Sequence, residues 1–359
     1  MTKICFLINH LENSNGVTKA AIDIVNMLSE RDDVEVCLRP LFRFERDMVN
    51  KLSPIVKLKP FFGFYFRGFA RIVDLIPDKV LYSLIFKDRY DIEIGFCYSL
   101  PTKIVASRNN HASLHLAWMH CYDEGLKLKS YYEKYDKVIC VSKCNAERLA
   151  KDLNNLVPVD FCYNLIDDEK VRDMGSEAIN KERGEGILFV SVGRHSPEKG
   201  YLRLLECVAR LKNDGYVFNL WLIGDGPQHE ELVKKTKAID ICNIVYFAGE
   251  QSNPHKFTSK ADVFVCSSFT EGYSTACTEA VMLGIPVLTT NVSGGNEIIQ
   301  DAEAGMLVGM EDEDLYQGMK SILEHPDRIY GWDDKLKKTK YIFSLEARKK
   351  KLLSILKII

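Results

Sequence analysis

Short apolar runs bounded by turn residues alternate with longer amphipathic segments along the whole chain. Runs at 3–9, 34–38, 92–96, 115–119 and 137–142, and again at 187–192, 218–223, 244–248, 262–266 and 286–290, read as strands. Between them, 17–29, 144–152, 201–213, 228–238, 276–283 and 311–323 repeat their apolar residues at helical spacing. Continuous apolar strands separated by helices are buried on both faces, as in parallel sheets, so the expected fold class is α/β. The rhythm stops in a polar stretch rich in Asp, Glu, Lys and Gly and restarts at Ile187. This predicts a first domain of 1–165, a linker of 166–186 and a second domain of 187–335. A length of 359 residues agrees, since one core rarely grows past ~250–300 residues. In the last segment, 344–359, Leu345, Leu352, Leu353, Leu356 and Ile359 form a helical apolar stripe with Ser344 as its N-cap.

Composition narrows the class. With 46% hydrophobic and 27% charged residues and a net charge of −2, the chain is an ordinary globular one, and nucleic acid is not an expected partner. The eleven cysteines contain no CxxC pair and several sit inside apolar runs, which fits a reduced, cytoplasmic setting. No run reaches the ~18–20 apolar residues of a membrane span, and the N-terminus lacks a signal-peptide core. Segment 56–87 breaks the α/β rhythm by interleaving Phe61, Phe62, Phe64, Tyr65 and Phe66 with Lys57, Lys59, Arg67 and Arg71. Two readings stand. The segment meets an anionic membrane surface, making the protein peripheral on the inner face of the membrane, or its aromatics belong to the first core.

Two segments carry chemistry. Glu271-Gly-Tyr-Ser-Thr-Ala-Cys-Thr-Glu279 follows a strand and opens a helix. The backbone N–H groups of Gly272, Tyr273, Ser274 and Thr275 would face outward at the helix N-terminus, a natural anion site. Glu271 and Glu279 would flank that anion and accept from hydroxyls. Gly193-Arg-His-Ser-Pro-Glu-Lys-Gly200 follows another strand, and Arg194 with Lys199 suits a diphosphate: a bidentate fork and a mobile point charge. Taken singly, the first is equally a capped helix with two solvated glutamates, and the second a surface loop. Their shared position after strands of one half favours a ligand, because open α/β sheets bind at strand C-termini. Asp312-Glu313-Asp314 has the form of a metal-binding DxD, yet it opens a helix, where acids complement the dipole. His111, His115 and His120 lack acidic partners at a ligand spacing, so no metal is expected.

The wording GRHSPEKG and EGYSTACTEAVMLGIPVLTTNVSGGNEI, with Leu222 to Pro227 and Tyr246 to Gly249 between them, resembles the retaining family 4 glycosyltransferases of the GT-B fold. The likeness is dense over 187–323 and closest to enzymes of bacterial capsule and lipopolysaccharide synthesis. It implies two Rossmann-like domains facing across a cleft, with helix 344–359 joined to the first. The first domain would take a glycan or lipid-linked acceptor and the second a nucleotide-sugar donor, a UDP-sugar, with no further cofactor. Arg194 and Lys199 would hold the diphosphate beside Gly193, Glu279 the ribose, and Glu271 the transferred sugar. Gly16 would donate a backbone N–H to phosphate, although Glu12 to Gly16 is a thinner glycine loop than the family's. His120, at a strand end, falls where the family puts a histidine beside the donor sugar; a buried structural histidine is the other reading. A nucleotide-sugar epimerase of the same architecture and a catalytically silent partner subunit remain as alternative functions.

Overall fold

A computed structural model describes residues 1–12, 16–122 and 126–358. The chain divides into two compact units, 1–165 with 349–359, and 166–348. The first is built on the parallel strands β1 Thr2–Ile8, β2 Val34–Pro40, β3 Lys57–Leu58, β4 Ile92–Gly95, β5 Leu114–Met119, β6 Lys137–Cys140 and β7 Val159–Phe161, ordered β3-β2-β1-β4-β5-β6-β7. The second has β8 Ile187–Val192, β9 Phe218–Ile223, β10 Val245–Gly249, β11 Val263–Cys266, β12 Val287–Thr290 and β13 Gly305–Val308, ordered β10-β9-β8-β11-β12-β13. Both are Rossmann-like α/β units. In each, the strand order reverses once, beside β1 and β8 respectively, and there the loops that follow two neighbouring strands diverge to leave a crevice.

The helices follow the apolar spacing. Tyr201–Asn213 buries Tyr201, Leu204, Leu205, Val208 and Leu211 against the second sheet, the i, i+3, i+4, i+7 stripe of an amphipathic helix. Ser142 caps Lys143–Asp152 by accepting from the Asn145 N–H at 3.3 Å. The C-terminal helix Leu345–Leu356 begins in the second unit and ends in the first, and the Ser344 hydroxyl accepts from the Ala347 N–H at 3.2 Å. Leu352, Ile355 and Leu356 are buried, and Lys351 pairs with Asp160 at 2.7 Å.

Where the linker is expected, the structure has a helix. Asp168–Gly175 is capped by Asp167, which accepts from the Lys170 N–H at 2.9 Å, and it buries Val171. A Cβ on Gly175 would lie 2.4 Å from Leu283 Cδ2, so this helix packs flush on the second unit. Its charged face hides it from a composition-based reading. The second unit also extends past the expected end at 335, through helix Asp327–Thr339.

Segment 56–87 divides its aromatics between the first core and the surface. Phe61, Phe62 and Phe69 pack against the first core, whereas Phe64, Tyr65 and Phe66 are 55%, 42% and 52% exposed. Lys57 is paired with Glu35 at 2.7 Å and Lys59 with Asp88 at 2.6 Å, leaving Arg67 and Arg71 as the exposed cations beside the rings. Among the described residues no helix is long and apolar enough to cross a membrane.

Candidate functional site

The second unit's site grows from the strand reversal. β8 has β9 on one side and β11 on the other, so the loops after β8 and β11 emerge side by side. The β8 loop carries Gly193, Arg194 and Lys199; the β11 loop carries Ser267 to Ser274 and runs into helix Thr275–Met282. The two loops are tied together by backbone and side chain. The Phe269 N–H donates to the Glu198 carbonyl at 2.7 Å, and the Ser267 hydroxyl to the Lys199 carbonyl at 2.9 Å. Gly200 makes this approach possible: it has φ +66°, and a Cβ there would lie 2.1 Å from the Ser267 carbonyl oxygen.

At the centre, Lys199 Nζ lies 2.7 Å from Glu271 Oε1, and the Ser268 hydroxyl donates to the same oxygen at 2.7 Å. Burial acts to lower the Lys199 pKa, but the Glu271 carboxylate outweighs it and holds the ammonium above its ordinary value. Ser274 caps the helix, its hydroxyl accepting from the Cys277 N–H at 3.3 Å. Glu279 is buried five residues into the chain from that cap, with His255 Nδ1 4.0 Å from its carboxylate. Tyr273 is buried, and a Cβ on Gly294 would come 2.6 Å from its ring. Arg194 is exposed, and its Cγ would lie 3.0 Å from a Cβ on Gly226. Gly224 is closer still: a Cβ there would stand 2.0 Å from the Gly193 carbonyl oxygen, which explains the paired glycines of Gly224-Asp-Gly226.

Two expected residues sit in the first unit. Gly16 begins helix Gly16–Ser29 and is exposed, with open space where a Cβ would be; Asn13 to Asn15 of its loop lie outside the described residues. His120 follows β5, edge-on to Phe96 with ring centroids 4.7 Å apart. Its Nε2 is buried without a hydrogen-bond partner among the described residues, and burial pushes its pKa down to about 3. It is a neutral imidazole.

The acidic run 312–314 serves its helix. Glu311 and Asp314 form a capping box, with the Glu311 N–H donating to Asp314 at 3.1 Å. A histidine cluster escapes the sequence because its members are 34 positions apart: His195 Nδ1 lies 3.0 Å from His229 Nδ1, and Asp225 is 3.8 Å from His229. The imidazole planes are 10° apart and the centroids 5.1 Å, close to the widest separation those nitrogens allow. The nitrogens therefore meet head-on at hydrogen-bonding distance, and the ligand atoms of His195, Asp225 and His229 lie within 4.8 Å of one another. With the His195 N–H donating to the Asp225 carbonyl at 2.8 Å, the pair staples the β8 loop to the β9 loop. Burial, reinforced by His229, lowers the His195 pKa to about 4.

Residues 175–340 match the family described as Glycosyl transferases group 1. A Campylobacter jejuni protein, N-acetylgalactosamine-N,N'-diacetylbacillosaminyl-diphospho-undecaprenol 4-alpha-N-acetylgalactosaminyltransferase, is 31% identical over 58% of this chain and 54% of its own length. The chain thus spans about half of that relative. The lipopolysaccharide core biosynthesis glycosyltransferase LpsE of Rhizobium meliloti is 25% identical over 84% of each chain. The structure of HepE from Anabaena in complex with UDP covers 100% of both chains with a TM-score of 0.74 at 14% identity. The fold is GT-B, and residues 175–340 are similar to the group 1 glycosyltransferases.

Proposed function

We propose that this protein moves a sugar from a UDP-sugar to a glycan or lipid-linked acceptor in bacterial surface-polysaccharide synthesis, retaining the anomeric configuration. The observation that carries the reading is the Lys199–Glu271 pair, set where the β8 and β11 loops meet a capped helix N-terminus. Lys199, Arg194 and the N–H groups of 272–275 bind the diphosphate and stabilise the charge that develops as the bond from sugar to phosphate breaks. Glu279 accepts from the ribose hydroxyls, and Glu271 from a hydroxyl of the sugar. The acceptor attacks from the face the diphosphate leaves, and a donor phosphate oxygen takes its proton. The names of the relatives support the pathway, and UDP in HepE supports the base. A panel of UDP-, GDP- and ADP-sugars tests this by thermal shift and slow donor hydrolysis, with and without EDTA. A UDP-sugar is expected to stabilise and to be hydrolysed in both conditions. Preference for another base, or dependence on added Mg²⁺, would overturn the respective part.

Glu279→Ala is expected to weaken UDP binding by about 1.5–3 kcal/mol, the value of a hydrogen bond to a charged group. Calorimetry with UDP checks this, and an unchanged affinity removes the ribose assignment.

Attachment to a membrane is the second part of the reading. The exposed rings Phe64, Tyr65 and Phe66, with Ile72 and Leu75 at 54% and 83% exposure, lie in sequence around Arg67 and Arg71. Rings insert shallowly at headgroups, and each cation near an anionic surface adds about 1 kcal/mol. Arg67→Gln with Arg71→Gln should therefore weaken binding to anionic liposomes by about 2 kcal/mol, and high salt should weaken the wild type similarly. Co-sedimentation that is indifferent to lipid charge, or equal for the variant, rules the attachment out.

A further inference from the structure

Arg203 follows the β8 loop on helix Tyr201–Asn213, and it is only 5% exposed. Its guanidinium spends its donors on backbone oxygens of two loops. Nε donates to the Ser267 carbonyl at 2.8 Å, and Nη2 to both the Ser267 and Ser268 carbonyls, the latter at 2.8 Å. Nη1 donates to the Met310 carbonyl at 2.7 Å, beyond β13. The Phe269 ring covers the guanidinium, 3.9 Å from its Cζ, which accounts for an otherwise isolated exposed phenylalanine. The nearest carboxylate, Asp312, is 4.0 Å away and exposed, so backbone carbonyls rather than an ion pair hold this charge.

The β11 loop has no ladder of its own, and its buried carbonyls need donors. Ser268 is the point of convergence. Its carbonyl accepts from Arg203 and from the Thr290 hydroxyl at 2.7 Å, while its own hydroxyl donates to Glu271. Fixing the Ser268 backbone thus fixes the donor that orients the Glu271 carboxylate, and with it the partner of Lys199. A lysine has three donors on one nitrogen and cannot fork to three carbonyls of two loops.

We propose that Arg203 is a positioning residue for the Lys199–Glu271 pair, acting through the backbone of Ser267 and Ser268. The functional consequence rests on the reading of that pair as the donor diphosphate site. Arg203→Lys keeps the charge and loses the fork. In this variant UDP affinity, read by calorimetry, should fall about tenfold, the value of one charge-assisted hydrogen bond. The loss should shrink below about twofold when Arg203→Lys is made in a Lys199→Ala background, because coupled residues are not additive. Hydrogen exchange at the amides of 268–271 should speed up in Arg203→Lys without UDP, while β9 amides keep their protection. A wild-type affinity in Arg203→Lys, or the same loss in both backgrounds, would overturn the proposal. If the wild type binds no UDP, the diphosphate reading fails on its own account. The exchange experiment then decides alone, and unchanged rates at 268–271 would show that Arg203 does not hold the loop.

Discussion

Lys199→Ala is expected to lower the turnover of donor sugar by about a hundred- to a thousandfold, the size of effect seen when one preorganised group facing a developing charge is removed. Two losses combine. The leaving diphosphate loses a cation that Glu271 keeps protonated throughout the working pH range. Glu271, whose side chain is 13% exposed, is left with the Ser268 hydroxyl in place of an ion pair. Breaking a largely buried pair on one side is costly because the remaining charge stays desolvated. Lys199→Arg should recover only part of the activity, because a rigid planar guanidinium cannot put one donor nitrogen where Lys199 Nζ meets Glu271 Oε1. Single-turnover kinetics at saturating donor give the chemical step, and the UDP affinity gives the ground-state share. A chemical step within threefold of wild type would remove Lys199 from the mechanism.

The candidate site was legible in the sequence to the extent that its residues are neighbours in the chain. Gly193 to Gly200 and Glu271 to Glu279 are each continuous in the chain, and each stretch follows an apolar run long enough to announce a buried strand. Arg203 could not be found in that way. Its meaning comes from carbonyls 64, 65 and 107 positions away, and backbone oxygens carry no sequence signal. The His195–His229 pair is hidden for the same reason. In the fold, the missed strands are β3, β7 and β13, two to four residues long and at most half-buried at sheet edges, where packing imposes no apolar run. Helices such as His255–Thr258 are a single turn, too short to show a period. The 56–87 segment was ambiguous because its aromatics divide between two environments within six residues, Phe61 and Phe62 inward and Phe64 to Phe66 outward.

Glu93 leads to the second large effect, and it concerns stability. The segment Ile92-Glu-Ile-Gly95 reads as an ordinary strand, yet all four residues are buried, and Glu93 is 1% exposed between β1 and β5. Oε1 accepts from the Tyr82 hydroxyl at 3.1 Å, and Oε2 is buried without a partner among the described residues. Burial raises the pKa to about 8, against the opposing pull of Tyr82 and Arg39. The unfolded chain releases this proton near its ordinary value of 4.5. Between those two values the folded state binds a proton that the unfolded state has given up. The stabilisation is complete below the lower pKa and is lost as pH rises through the higher one, at up to about 1.4 kcal/mol per pH unit. Glu93→Gln keeps the shape and cannot titrate. Its stability should be close to that of wild type at pH 4.5, exceed it increasingly from pH 5 to 8, and keep a constant lead above that. Because the chain folds as two units, a single global signal would mix two transitions. Hydrogen exchange at the β4 and β5 amides reads the first unit alone. A difference between Glu93→Gln and wild type that does not change with pH would mean that Glu93 is already ionised in the folded protein.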